Sequence, residues 1–441
     1  MSSISPSEAE LKAALQALRT QNPTLGIAKL HARLLSEHPD WTVSEKRTRK
    51  ILQNEGLVLS PDGAGGKSAT GSAPYPSSGV IEGLEISKWT SKVQVKYFNK
   101  IKGKGLVAAE KIAEGEVVWK EDPFILAPEW SLYDLQMASV ACMHCSTPLT
   151  SSALTVPCTG AAKVPSCPAR FCNRLCQSRA ARIHTLLCPA HNPASVPLLQ
   201  FARRHEWMAL HALAQCTARV LLAEQQDAAA FAADWAVVRG LAQLGMEERA
   251  KGGWCVTHAA AHRLGSAEPD RETWKTAHEL FVRAFRDPAT EPERKRLARV
   301  LKKPVGKEVA DEIFEYDAFL RGLGRMSLNL EAHGGLYVLH SHVNHSCTPN
   351  LSVRHLDQRT ALSRITVIAR RDIEAGEELF ISYVNPELPL EGRRRQLLEW
   401  GFGTCKCPRC MMEEQDPTRK AVTQSVPDDL ENELKAGLGV M

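Results

Sequence analysis

Eight residues with metal-binding side chains fall between positions 142 and 188, as Cys142-x2-Cys145, Cys158-x8-Cys167, Cys172-x3-Cys176 and His184-x3-Cys188. A close Cys pair puts two thiolates on one turn, within reach of a single tetrahedral ion, and four pairs suffice for two zinc sites. The surrounding segment is rich in Ser and Pro and poor in apolar residues, so bound metal would have to supply its folding free energy. A disulfide scaffold could use the same cysteines in an oxidising compartment. Met1 is followed by polar, Ala-rich sequence without a secretory signal pattern, which favours a reducing compartment and zinc. An interleaved pairing is expected because it pins both ends of the segment. Cys142, Cys145, Cys172 and Cys176 would share one ion, and Cys158, Cys167, His184 and Cys188 the other.

The cysteine count carries this further. There are 13 Cys. Cys405-x-Cys407-x2-Cys410 offers three ligands, and Cys347 in Asn344-His345-Ser346-Cys347 is the best candidate for the fourth, giving three zinc ions in all. Cys216 and Cys255 are left over in helical-looking sequence, where a free Cys usually acts as a small buried hydrophobe. His144 and His191 are poorer ligands than His184 by spacing, and are expected at the surface or in support of a ligand.

The chain that must position these residues has 441 of them, enough for two to four domains. Apolar residues make up 44%, ample for buried cores, and no apolar run approaches the roughly 18 residues of a membrane helix. A net charge of +5 is too small to make the whole chain a nucleic-acid binder. Residues 1–60 read as a small helical module. Leu11, Leu15 and Leu18 share one face, and Ser44 can cap a last helix carrying Lys46, Arg47, Arg49 and Lys50. Such a module is either a helix-turn-helix touching DNA or RNA through residues 40–52, or a bundle with a solvated basic face. Residues 61–82 read as a flexible linker, rich in Gly, Ser, Ala and Pro. Strand patterns occupy 83–141, the metal segment 142–188, and Ala- and Leu-rich helices 189–330. Strands return over 331–386, including Leu336 to Leu339 and Gly376 to Tyr383. Residues 387–412 hold the last cysteines, and 413–441 form a polar tail expected to be disordered.

Three remote segments could carry chemistry. Lys102-Gly103-Lys104-Gly105 is a turn where a ligand can approach the backbone, though most such turns are only turns. Asn344-His345-Ser346-Cys347 packs an amide, an imidazole, a hydroxyl and a thiol into four residues. Glu378-Leu379-Phe380-Ile381-Ser382-Tyr383 ends a strand on an aromatic, more often a packing residue than a reactive one. In this order, with the metal segment and helices between them and Cys-x-Cys-x2-Cys after them, they resemble the SET-and-MYND-domain lysine methyltransferases from about Glu82 to Met412. The N-terminal module is most like that of the fungal histone-lysine branch.

The resemblance implies an α+β fold. It consists of a SET-type curved β-sheet with a pseudoknot, an inserted MYND-like zinc module, a helical insert and an N-terminal helical module. It also implies S-adenosylmethionine as cofactor, held by Lys102, Gly103, Lys104, Gly105, Asn344 and His345. Phe402 would pack on the adenine, and Tyr383 would stand both against the cofactor and at the substrate-lysine channel. The implied substrate is a lysine of a core-histone tail, the fourth core histone first, and the implied place is chromatin in the nucleus and also the cytoplasm. A non-histone target such as a ribosomal protein, or a non-catalytic interaction scaffold, are the other readings. The eight residues between Cys158 and Cys167 exceed the family spacing, so the second metal loop is longer and the peptide groove of a MYND module is expected to be altered. Phe402 also stands one residue further from Cys405 than in the family.

Overall fold

A computed structural model describes residues 5–21, 25–54, 75–150, 154–251, 269–356, 363–401 and 403–415. The chain divides into two compact units, residues 1–72 and 73–441.

The first unit holds helices α1 (Glu8–Gln21), α2 (Ile27–Glu37) and α3 (Glu45–Asn54). Leu11, Leu15 and Leu18 of α1, at helical spacing, bury completely or nearly so against Leu30, Leu34, Ile51 and Leu52. Ser44 caps α3, its Oγ accepting from the Arg47 amide at 3.2 Å. Arg47 donates to Ser5 Oγ and the Pro6 carbonyl, and Arg49 pairs with Glu45.

In the second unit, β1 (Val93–Asn99) and β2 (Gly103–Ala108) form an antiparallel hairpin. β3 (Val117–Glu121) leads to β4 (Ile125–Leu126), and β5 (Val156–Pro157) pairs with β6 (Arg170–Phe171) inside the cysteine-rich segment. After the helices come β7 (Gly335–Leu336), β8 (Asn344–His345), β9 (Leu351–Arg354), β10 (Ile365–Ala369) and β11 (Phe380–Ile381). One antiparallel sheet has the order β3-β10-β9, β4 pairs with β7, and β8 lies parallel to β11. Leu106, Val118, Leu339, Leu351, Val367 and Leu379 form the apolar core between these small sheets.

Two strands are shorter than their sequence patterns. Leu336 to Leu339 yields only Gly335–Leu336, because the buried Glu121 carboxylate takes the amides of Leu339 and His340 and the chain turns into a 3-10 helix at His340–His342. Gly376 to Tyr383 narrows to Phe380–Ile381. Leu379 donates to the Leu106 carbonyl across the fold and Phe380 to the Asn350 side chain, so neighbouring amides serve different partners. Residues 75–82, part of the expected linker, are also ordered. Ser77 and Gln243 exchange both backbone hydrogen bonds, at 2.9 and 2.8 Å, and Ile81 is buried. Composition there reads as coil, but backbone pairing does not depend on side-chain type.

The insert packs around the helix Met208–Gln226, buried on nearly every face, with Phe281, Phe319 and Leu323 against it. Cys216 lies inside this helix as a small buried residue, and Cys255 falls outside the described residues. No helix among the described residues is long and apolar enough to cross a membrane.

Candidate active site and metal centres

The Gly-x-Gly turn opens β2, and Gly103 needs its positive φ of 71°. Gly105 needs its missing side chain instead. A Cβ there would lie 2.6 Å from the Phe98 ring, 2.8 Å from Asn344 Nδ2 and 3.2 Å from Glu378 Oε1. Asn344 Nδ2 donates to the Lys104 carbonyl and to Glu378 Oε1, both at 3.0 Å. Lys102 pairs with the other oxygen of Glu378 and lies over the Phe98 ring at 4.4 Å. Two glycines, an amide and a carboxylate thus meet around one small cradle. Glu378 was visible in the sequence only as part of a strand pattern, and nothing in the sequence marked it as the acceptor that orients Asn344.

β8 and β11 join the other two segments. Their parallel pairing sets Asn344 opposite Phe380 and His345 opposite Ile381. The Tyr383 amide donates to His345 Nδ1 at 3.0 Å, and the Tyr383 hydroxyl donates to the Val343 carbonyl at 2.7 Å. Tyr383 also packs on Trp400, ring centroids 4.4 Å apart, a contact the sequence did not signal. Phe402 lies outside the described residues.

Two buried charges support this arrangement from behind. Glu121 anchors the turn that leads into Asn344, and burial pushes its carboxyl above the usual range against the pull of the Leu339 and His340 amides. Lys104 sends its side chain inward, donating to the Gly240 carbonyl at 2.8 Å and Ser341 Oγ at 3.3 Å. Burial lowers its pKa from 10.5 to about 7. Between those two values the unfolded chain holds a proton that the folded chain has released, so stability should rise with pH across that window. Melting temperature is expected to climb from pH 7 toward pH 10 more steeply than in Lys104→Met. Parallel slopes in the two proteins would mean that this ammonium is not the group being relieved.

The cysteines gather into three four-donor clusters. Cys142, Cys145, Cys172 and Cys176 form one, Cys158, Cys167, His184 and Cys188 another, and Cys347, Cys405, Cys407 and Cys410 the third. Within each, all donor atoms lie within 4.8 Å of one another. A Zn–S length of about 2.3 Å in a tetrahedron separates sulfurs by roughly 3.8 Å. Cys145 to Cys172, Cys176 to Cys145 and Cys158 to Cys188 are each 3.8 Å apart, and Cys347 to Cys410 is 3.5 Å. The donor types and spacings therefore fit zinc. Local structure explains the placement. Asn173 caps the helix Arg174–Leu187 by accepting from the Cys176 amide at 2.8 Å, which sets Cys176 at its first turn and His184 and Cys188 at its end. His144 and His191 stand outside the clusters. Arg393, fully buried, donates to Cys410 Sγ at 3.6 Å and to Glu413 at 2.6 Å, a support for the third cluster that its sequence context did not announce.

Comparison with known proteins follows these segments. The SET domain family model matches residues 241–384, the stretch that carries Asn344, His345 and Tyr383. Histone-lysine N-methyltransferase SET5 of Mycosarcoma maydis is 30% identical over 401 residues, covering 78% of this chain and 77% of that protein. The protein of the same name from Yarrowia lipolytica is 28% identical over 400 residues, covering 89% and 78%. The solved SET domain of LSMT bound to lysine and AdoHcy is similar with a TM-score of 0.34 at 12% identity, over 81% of this chain and 56% of that one. Likeness to the SET5 proteins over more than three quarters of both chains places this chain in the family of the fungal SET5 histone-lysine N-methyltransferases, as a protein-lysine N-methyltransferase.

Proposed function

We propose that this protein methylates lysines of a core-histone tail, the fourth core histone first, with S-adenosylmethionine as donor, and so acts on chromatin in the nucleus. The observation that carries the reading is the meeting of β2, β8 and β11, which brings Gly105, Asn344 and Tyr383 together from three distant parts of the chain. The names of the SET5 relatives supply the histone.

S-adenosylmethionine, when bound, supplies an electrophilic methyl group on a sulfonium. The cradle fits such a ligand. Gly103 and Gly105 leave the backbone open to close approach, while Asn344 and His345 present polar atoms at its edge. In-line transfer to an amine needs alignment more than covalent help. The substrate lysine must lose its proton, which near pH 7 costs about 4–5 kcal/mol from a pKa near 10.4. Tyr383 adds no charge, so its hydroxyl can orient a neutral amine without stabilising the protonated form. The three donor clusters would hold structural zinc, with Cys347 tying the segment after His345 to the C-terminal cysteines.

Gly105→Ala tests the cradle. The added methyl must displace Phe98 or Asn344, so affinity for S-adenosylhomocysteine by calorimetry should fall about ten- to hundredfold, as should that of Asn344→Ala. Unchanged affinity in both would put the cofactor elsewhere. The substrate is tested by labelled S-adenosylmethionine with nucleosomes and, in parallel, whole-cell extract. Label on the fourth core histone is expected. Label on another protein moves the substrate, and no label despite cofactor binding favours the scaffold.

Contact of residues 40–52 with DNA or RNA draws less support. Arg47 and Arg49 are engaged within the first unit, which leaves Lys46 and Lys50 as the cations α3 can offer.

A further inference from the structure

One groove of the second unit has no part in methyl transfer. It has a volume of about 650 Å³ and is walled by the helix Arg174–Leu187, the helix Trp130–Met137 and the insert. Met137, Leu175, Ile183 and Leu199 give it an apolar side, and Leu175 is 59% and Met137 39% exposed. Large apolar side chains left open beside a concave surface mark a place that something covers.

The charges say what kind of group. Among the described residues Asp122 is the only acid lining the groove, and Arg364 already pairs with it at 2.8 Å. Arg219 is likewise committed, to Asp234. Arg179 and Arg182, one helical turn apart on the rim and both exposed, make no ion pair or hydrogen bond among the described residues. A groove with apolar walls and two uncommitted guanidiniums suits an acidic segment with regularly spaced apolar side chains. It repels a lysine-rich substrate tail.

We propose that the occupant is this chain's own segment 426–438. Val426, Leu430, Leu434 and Leu438 recur every fourth residue, with Asp428, Asp429, Glu431 and Glu433 among them. That spacing sets the apolar residues along one side of a helix and leaves acids free to meet arginines. The reach is sufficient. The eleven residues from Gln415 to Val426 can span roughly 36–40 Å, against a radius of gyration of about 21 Å for a unit of this size.

The test uses the full chain with Leu434→p-benzoylphenylalanine, irradiated and mapped by mass spectrometry. Crosslinks are expected at Met137, Leu175 or Leu199, with a yield per chain independent of protein concentration. Arg179→Glu with Arg182→Glu should cut the yield at least tenfold while zinc content is unchanged, since both side chains are exposed. Asp428→Arg with Asp429→Arg in that background should restore much of it, and high salt should lower the yield of the unaltered pair of arginines. Crosslinks that map elsewhere, rise with concentration as for a second copy, or ignore the charge reversal would each overturn the proposal.

Discussion

Tyr383→Phe is expected to lower the rate of methyl transfer by about 10²–10³-fold, or to change how many methyl groups a lysine receives, with cofactor affinity nearly unaltered. The magnitude is that of removing one preorganised polar group from a reacting centre. The ring stays, so its packing on Trp400 and the Tyr383 amide bond to His345 survive. The lost hydroxyl releases the Val343 carbonyl, at a cost of about 0.5–1.5 kcal/mol of stability. An effect on turnover far above that on stability separates a role in the transition state from one in packing. The measurement is rate and product state on histone substrate. A Phe variant with wild-type rate and the same methylation state would make Tyr383 a packing residue and sink the proposed mechanism.

Removal of metal should be the largest effect on the fold. Structural zinc contributes an apparent 10–16 kcal/mol at neutral pH in small modules, about 10–16 against the roughly 5–15 kcal/mol that holds a typical domain. The cysteine-rich segment has little else, because the residues buried there are largely the ligands themselves, with Leu149, Ala169, Phe171 and Ala180. Protein purified without chelator should carry three zinc ions per chain. Chelation should cost both the segment 142–188 and, through Cys347, the arrangement around His345, so that cofactor binding and melting temperature fall together. Cys347→Ser should leave two ions and the cysteine-rich segment intact while cofactor affinity drops. Two or fewer ions in the unaltered protein, or a melting curve indifferent to chelation, would contradict this.

Much of this was legible in the residues. Ligand spacing singled out His184 over His144 and His191 and grouped the same twelve donors that meet in space, because short Cys spacings leave few geometric choices. Leu11, Leu15 and Leu18 announced a helix face that is indeed buried. What could not be read were contacts made across the chain by polar groups. Glu121 lies in a strand whose pattern gives no hint that its carboxylate caps the turn before Asn344, and that bond is what shortens the strand at Leu336. Glu378 and Arg393 were hidden for the same reason. A side chain's hydrogen-bond partner is set by tertiary placement, which local periodicity does not encode. Residues 75–82 were misread because Gly, Ser and Pro content speaks to stiffness rather than to whether another strand is waiting.

The amide of Asn344 reaches a carbonyl 240 residues earlier, at Lys104. On a ribosome adding about 5–20 residues per second, that partner arrives roughly 12–48 s after the hairpin that needs it. The helical insert has local contacts and can form meanwhile, but β2 emerges with its Leu106 and Ala108 amides and carbonyls unclaimed until residues 376–379 are made. Nascent chains of this protein are therefore exposed, for most of their synthesis, at the edge that will become the cofactor cradle. Chaperone occupancy on ribosome-bound chains should peak over that interval and end only when the last cysteines have left the exit tunnel.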